Sequence, residues 1–326
     1  MFMFFVVNQV ILFYVSFLTK SLHERFDKAA IEESTMFNHL ISWDAMHFIK
    51  IQKLNYFYEH SMAFLFLHIK IASNIKMGIV LNNIYFCISY YLMYKIALIH
   101  YKGNHIMSRR VVMYFLLNTS SIIYSSFYTE SLFTMIFLLG YYNIIKNNQI
   151  YGTILLSLST LCRSNGILFI CLTNNLVYAI LIIIPFSIYQ VFCILKYWSN
   201  NCLFRIIIPY SFIQKTYWNQ GLLKFITFKQ LPNIIIGLPT ILLSIKVIYK
   251  YSNMKEYYNR KLNLLLLIKL LLVIFTMHWN MAGRFLSFHP FVYFYLAESN
   301  NKHLCFFLLT LRLLYIIMFS SYYPPA

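Results

Sequence analysis

An all-α, polytopic membrane protein is the fold class this sequence predicts, and three observations predict it. Sixty per cent of the 326 residues are apolar and only 11% are charged, a balance that no soluble domain can bury. The apolar residues gather into runs near crossing length, with enough of them for about nine or ten spans at about 20 residues each. Eight glycines and seven prolines are too few for a linker-rich, disordered or collagen-like chain.

The elements follow in order. Residues 1–19 are nearly uncharged and lack both a basic n-region and a small-residue cleavage site, so they read as a retained first transmembrane helix. A hydrophilic stretch, 20–76, comes next. The rest of the bundle, 77–326, holds runs near 77–99, 111–128, 131–145, 150–172, 176–195, 203–213, 233–249, 262–278, 284–297 and 303–320. The 203–213 run is short enough to be re-entrant, and the whole reads as a single integral membrane domain of about 9–11 transmembrane helices.

The formal charge of +18 would suggest nucleic acid in a soluble protein. Here the basic residues are scattered among runs and loops and never form a solvated stripe, which argues against that partner. Retention of Lys and Arg on the cytosolic side is the simpler source. Lys102, Arg109 and Arg110 form one basic connection and Lys246, Lys250, Lys255, Arg260 and Lys261 another, whereas 20–76 holds six of the nine acids: Glu24, Asp27, Glu32, Glu33, Asp44 and Glu59. With both basic connections cytosolic, the 20–76 loop lies on the opposite side, and counting spans puts Glu130, Tyr217 and Arg284 there too. The six cysteines show neither CxxC nor paired-histidine spacing and read as small buried hydrophobes, not as a disulfide or zinc framework.

Three charges stand where they are expensive. Glu130 sits between VVMYFLLNTSSIIYSSFYT and SLFTMIFLLG, Arg163 within LCRSNGILF and Arg284 within WNMAGRFLSFHPF. A charge at a span centre costs about 2.5 to 3.5 kcal/mol on insertion scales and less near the interface. Either Glu130 pairs with an arginine as structural glue, or the guanidinium groups grip an anionic, lipid-linked ligand at the membrane surface. In the first loop Trp43, Met46, Phe48, Ile51 and Leu54 make an imperfect amphipathic pattern for a helix lying on the bilayer. Asp44 and His47 share a face of it, so the histidine could orient the carboxylate or touch phosphate, or Asp44 is merely a solvated helix charge. Glu59 would lie about 22 Å farther along an unbroken helix, so it meets Asp44 only if the chain turns. YWNQGLLKF, with Trp218 and Asn219, reads as an interfacial aromatic belt or as sugar recognition by amides beside a ring. No phosphate loop, GxSxG elbow or HExxH occurs.

Together, SWDAMHFIKI at 42–51 with YEHSMAF at 58–64, NTSSIIYSSFYTESLF at 118–133, CRSNG at 162–166, YWNQGLLKF with QLPN at 217–233, and GRFLSFHP at 283–290 resemble the PIG-V-type GPI mannosyltransferase 2 family, in family order and across most of the chain. The resemblance implies a GT-C-like bundle with a large first luminal loop, in the endoplasmic reticulum membrane with the site luminal. It implies transfer of mannose from dolichol-phosphate-mannose to a mannosylated glucosaminyl-phosphatidylinositol acceptor, adding the second mannose in α-1,6 linkage. Asp44 falls on the family's WD position. Inversion from a β-linked donor requires a base, for which Asp44 is the candidate, while Arg163 or Arg284 would hold the departing phosphate. His47, Glu59, His60, Glu130, Asn165, Trp218 and Asn219 would shape the site or position substrate; no metal or other cofactor is expected. The chain is short for the family and YEHSMAFLFLH lacks the proline-containing continuation expected after its AF pair; the reduced length leaves open whether it acts alone or with an accessory subunit. The rival readings are a related GT-C enzyme with another acceptor and a lipid or solute transporter; for the latter, similarity between halves is not visible.

Overall fold

The computed structural model describes residues 2–23, 36–196, 208–299 and 301–323. Among these, fifteen α-helices and several short 3-10 turns account for the regular structure, and no strand occurs. Helix α1 is Phe2–Leu22, and the first loop then carries α2 (Asp44–Leu54) and α3 (Leu67–Ile71) with 3-10 turns at Asn38–Leu40 and Glu59–Ala63. The bundle continues with α4 (Ile75–His100), α5 (His105–Leu116), α6 (Ser121–Ser125), α7 (Glu130–Ile145), α8 (Gln149–Ser159) and α9 (Leu176–Lys196). It closes with α10 (Pro209–Trp218), α11 (Leu231–Lys250), α12 (Tyr257–Thr276), α13 (Ala282–Leu286), α14 (Pro290–Ser299) and α15 (Lys302–Ser320). Glu24, Asp27, Glu32, Glu33, Cys202 and most of the 203–213 run lie outside the described residues.

Among the described residues four helices are long and apolar enough to cross a bilayer: α1, α9, α11 with its preceding turn, and α15. Helices α4 and α12 match them in length but carry Asn82 and Asn83, or Arg260, Lys261 and Lys269, along the way. The chain is therefore a multi-pass membrane protein. Three runs expected as single spans are broken, each for a local reason. The 111–128 run stops at Leu116, where Asn118 Nδ2 donates to Phe115 O at 2.6 Å, and α6 stops in turn where Ser126 Oγ donates to Ile122 O at 2.6 Å, side-chain bonds that compete with the helix ladder. The 150–172 run changes at Ser159 from α-helix to a 3-10 segment, Ser164–Leu172, where Thr160 Oγ1 donates to Ser157 O at 2.7 Å. The 284–297 run is cut at Pro290, which has no N–H for the ladder and keeps the preceding residue out of helix.

Helix starts follow local chemistry. Asn74, Asn104 and Asn301 accept from backbone N–H groups in the first turns of α4, α5 and α15 at 2.9 to 3.1 Å. Helices α7 and α8 pack closely because a Cβ on Gly152 would fall 2.9 Å from Gly140 O. The expected amphipathic helix exists as α2 but turns differently: Ala45, Phe48, Ile49 and Ile51 are buried, Leu54 is exposed, and Trp43 precedes the helix. Its apolar face lies on the bundle, with the Phe48 ring 5.3 Å from Phe64 and 6.0 Å from Phe127, since those aromatics offer a larger apolar surface than an interface would.

Candidate active site

Three segments bring Glu130, Arg284 and Asp44 to one place. The first is the 126–129 connection before α7. Asn82 of α4 donates from Nδ2 to Ser126 O and to Tyr128 O, the latter at 2.7 Å, which fixes the turn and opens α7 on Glu130. A carboxylate at a helix N-terminus is favoured by the dipole. The second is α13. Gly237 on α11 lets the Trp279 backbone lie against that helix, because a Cβ there would meet Trp279 O at 2.0 Å. Three residues later α13 begins, with Arg284 in it. The third is Ser42-Trp43-Asp44. Ser42 Oγ donates to Phe319 O of α15 at 2.8 Å, and Tyr128 Oη donates to Ser42 O at 2.8 Å while accepting from Asp44 N–H at 3.2 Å. Trp43 has φ 52°, a strained value for a residue with a side chain, held by those bonds.

The result is a chain of four charges. Arg284 Nη2 donates to Asp44 Oδ2 at 2.8 Å and Arg284 Nε to Glu130 Oε1 at 2.6 Å, while Arg163 Nη1 pairs with the same Glu130 oxygen. Two carboxylates and two guanidinium groups sum to zero formal charge, which lets them be buried together. Side-chain exposure rises from 3% at Glu130 and 4% at Arg284 to 12% at Arg163 and 27% at Asp44, so Asp44 is the most exposed of the four. The Arg284 guanidinium lies 4.9 Å from the Tyr128 ring centroid and that of Arg163 5.0 Å from Phe285. Arg284 Nη1 is shielded from solvent and has no hydrogen-bond partner, a donor left over for an anion.

Beside Asp44 stands an aromatic cluster. His47, one turn along α2, stacks on Phe64 at 4.7 Å and faces His60 at 5.4 Å and Trp218 at 5.9 Å. It is Arg284 and not His47 that holds the Asp44 carboxylate. Burial holds the His47 imidazole below its usual range against the opposing pull of the Asp44 charge, and burial lowers His60 as well. Helix α2 ends at Leu54 and the chain turns back, so Glu59 accepts from Tyr217 Oη at 2.8 Å in this same cluster. Trp218 packs edge-on to Phe64 at 5.7 Å. Asn219 caps α10 in the left-handed region, φ 51°, and its Oδ1 accepts from Lys224 Nζ at 2.8 Å. Asn165, in the 3-10 segment after Arg163, keeps a shielded Oδ1 with no partner. Asp44, Glu130, Arg163 and Arg284 thus join directly, and His47, Glu59, His60 and Trp218 form a second group linked to them through α2.

Two participants escaped the reading of the sequence. Tyr128 lies inside a quoted motif, yet nothing in its spacing says that its hydroxyl will pin Asp44. Lys269 sits in LLLLIKLLLVIF, where a lone charge in an apolar run was a visible signal. It is 1% exposed, its Nζ has no hydrogen-bond partner, and it lies 3.8 Å from the Phe288 ring and 5.1 and 5.2 Å from Phe133 and Phe169. Phe133 also faces Arg163 at 6.0 Å, so this caged cation stands one ring behind the charged chain.

Comparison with known proteins bears on what the arrangement does. The profile of a family described as "Mannosyltransferase (PIG-V)" matches residues 2–178 and 168–326. A protein of Schizosaccharomyces pombe named "GPI mannosyltransferase 2" is 27% identical, over 94% of this chain and 79% of its own length. Proteins of the same name from Yarrowia lipolytica and Saccharomyces cerevisiae are 21% and 26% identical, covering 88% and 89% of this chain and 87% of their own lengths in each case. No solved structure matches the chain.

Proposed function

The chain belongs to the PIG-V mannosyltransferase family, and on that premise we propose that it adds the second mannose of the GPI anchor, taking it from dolichol-phosphate-mannose and forming an α-1,6 bond on the luminal side of the endoplasmic reticulum membrane. Mannosyl transfer in GPI-anchor biosynthesis is the activity that the named relatives support. The donor, linkage and sidedness are our reading of the site.

The observation that carries this reading is the unpartnered Nη1 of Arg284 beside the accessible Asp44. A phosphate oxygen accepting from Nη1 would complete the guanidinium while Nη2 stays on Asp44. The acceptor hydroxyl oxygen then attacks the anomeric carbon from the face opposite the phosphate and its proton passes to the Asp44 carboxylate. The bond from the anomeric carbon to the phosphate oxygen breaks, and its electron pair leaves with the phosphate, which Arg284 holds. Glu130 and Arg163 keep the guanidinium in place from behind. The His47, Trp218 and Glu59 cluster offers ring faces and a carboxylate to the sugars. With a phosphate as leaving group and a guanidinium to receive it, the step is written without a metal or other cofactor.

The test is expression of the chain in cells lacking their second GPI mannosyltransferase. Rescue by the natural chain, with a one-mannose precursor accumulating under Asp44→Asn, supports the reading. Full rescue by Asp44→Asn removes Asp44 as the base, and absence of rescue by the natural chain overturns the assignment.

A further inference from the structure

Lys269 is a charge that the transfer step above leaves unused. Elsewhere on α12, Leu264, Leu267 and Leu271 are exposed, and a lysine on that side could snorkel along its stem to the interface. Lys269 faces inward instead. Its Nζ lies over the rings of Phe288, Phe133 and Phe169 at 3.8, 5.1 and 5.2 Å, shielded from solvent and without a hydrogen-bond partner. The rings touch one another, Phe133 lying 5.4 Å from Phe169 and 5.6 Å from Phe288. Each ring also follows a member of the charged chain closely in sequence: Phe133 is three residues past Glu130, Phe169 six past Arg163 and Phe288 four past Arg284. The cage is thus built on the segments that carry the buried charges.

Asp44, Glu130, Arg163 and Arg284 sum to zero, so an ammonium at Lys269 leaves one positive charge in excess. His289 adds none, since its Nε2 donates to Leu262 O at 2.9 Å and its Nδ1 accepts from Phe291 N–H at 3.3 Å, the two roles of a neutral imidazole. Arg163 and Lys269 face the same Phe133 ring at 6.0 and 5.1 Å, which puts the two cations no more than about 11 Å apart. We propose that Lys269 is a positioning residue that holds the site one positive charge short of balance until a phosphate enters, a proposal that rests on the mannosyl-transfer reading above. The donor's phosphodiester carries one negative charge and neutralises the ensemble. As the bond to the anomeric carbon breaks, its electron pair stays with the phosphate, which then carries two charges, while Asp44 loses its own to the acceptor's proton. The field of a cation fixed among rings, where little water screens it, favours that second charge.

The experiment measures, at pH 8, binding of a two-isoprene phosphate and of its methyl ester to the purified full chain; the first is a dianion there and the second a monoanion. Lys269→Met keeps the length of the side chain without its charge. Affinity should fall about fivefold for the monoanion and about twenty-five-fold for the dianion, so that preference for the dianion falls about fivefold. Loss of an unpaired buried charge should at the same time raise the unfolding midpoint in detergent. Lys269→Gln serves as a second uncharged variant, and Lys269→Arg, which keeps the charge, should keep the preference. A preference unmoved in the uncharged variants overturns the proposal, and so does a preference lost equally in Lys269→Arg, which would make Lys269 a packing residue. Failure of the natural chain to bind either compound would strike the reading of a phosphate on Arg284 itself, an outcome separate from an unmoved preference.

Discussion

The two ends of α4 carry two carboxylates in contrasting company. Near Asn82 lies Glu130 with two arginines and Asp44. Nineteen residues on, just past the helix, Tyr101 Oη donates to Glu298 at 2.7 Å, Tyr251 Oη donates to the same oxygen at 3.1 Å, and Lys250 pairs with the other. The second cluster is closed. Its carboxylate oxygens are both taken, and the elements it joins are the ends of α4, α11 and α14. The first is open: it keeps a bare guanidinium nitrogen. Ion pairs of one bundle thus serve as a clasp at one end and, on our proposal, as a site at the other, and the leftover donor tells one from the other.

Breaking the open end should have the largest effect. Arg284→Met leaves Asp44 and Glu130 without their shared partner. The expected outcome is loss of mannosyl transfer by at least about a hundredfold, as for removing a transition-state donor, with thermal unfolding in detergent destabilised by about 3 to 5 kcal/mol. Retained transfer would make the open cluster a clasp like the other. Glu298→Gln probes the closed end. It should cost about 1 to 3 kcal/mol of stability and leave kcat for transfer unaltered; a fall in kcat with the fold intact would erase the contrast.

The smallest effect concerns the loop that holds the open end. Burial holds His39 and His68 down to about 4, so both are neutral in the folded chain. The unfolded chain binds protons near 6.5, hence more protons than the folded one, and stability falls as pH drops from about 6.5 towards 4. Unfolding midpoints measured from pH 7 to pH 5 should decline, and His39→Asn with His68→Asn should flatten the decline. An unchanged slope in the double variant would assign the acid sensitivity elsewhere.

Part of this was legible in the residues. Glu130, Arg163 and Arg284 announced themselves as charges in apolar surroundings, and the helical class followed from run length. The breaks in the 111–128 and 150–172 runs were harder, because Asn, Ser and Thr bonding back to the backbone leave mean hydropathy nearly untouched. His47 shared a face with Asp44 as its spacing required, but a face says nothing of which partner wins. A guanidinium brought by α13 outcompetes an imidazole whose charged form burial disfavours.

The sequence by itself determined that the chain is helical, that it lives in a bilayer and which charges would be costly there, because transfer energies and helix periodicity are properties of short segments. Only the tertiary structure decided that Asp44 meets Arg284 across 240 residues, that Tyr128 pins the strained Trp43-Asp44 turn and that Lys269 is caged by three phenylalanines. Such pairings depend on how helices cross, and crossing is set by packing between surfaces that no local window contains.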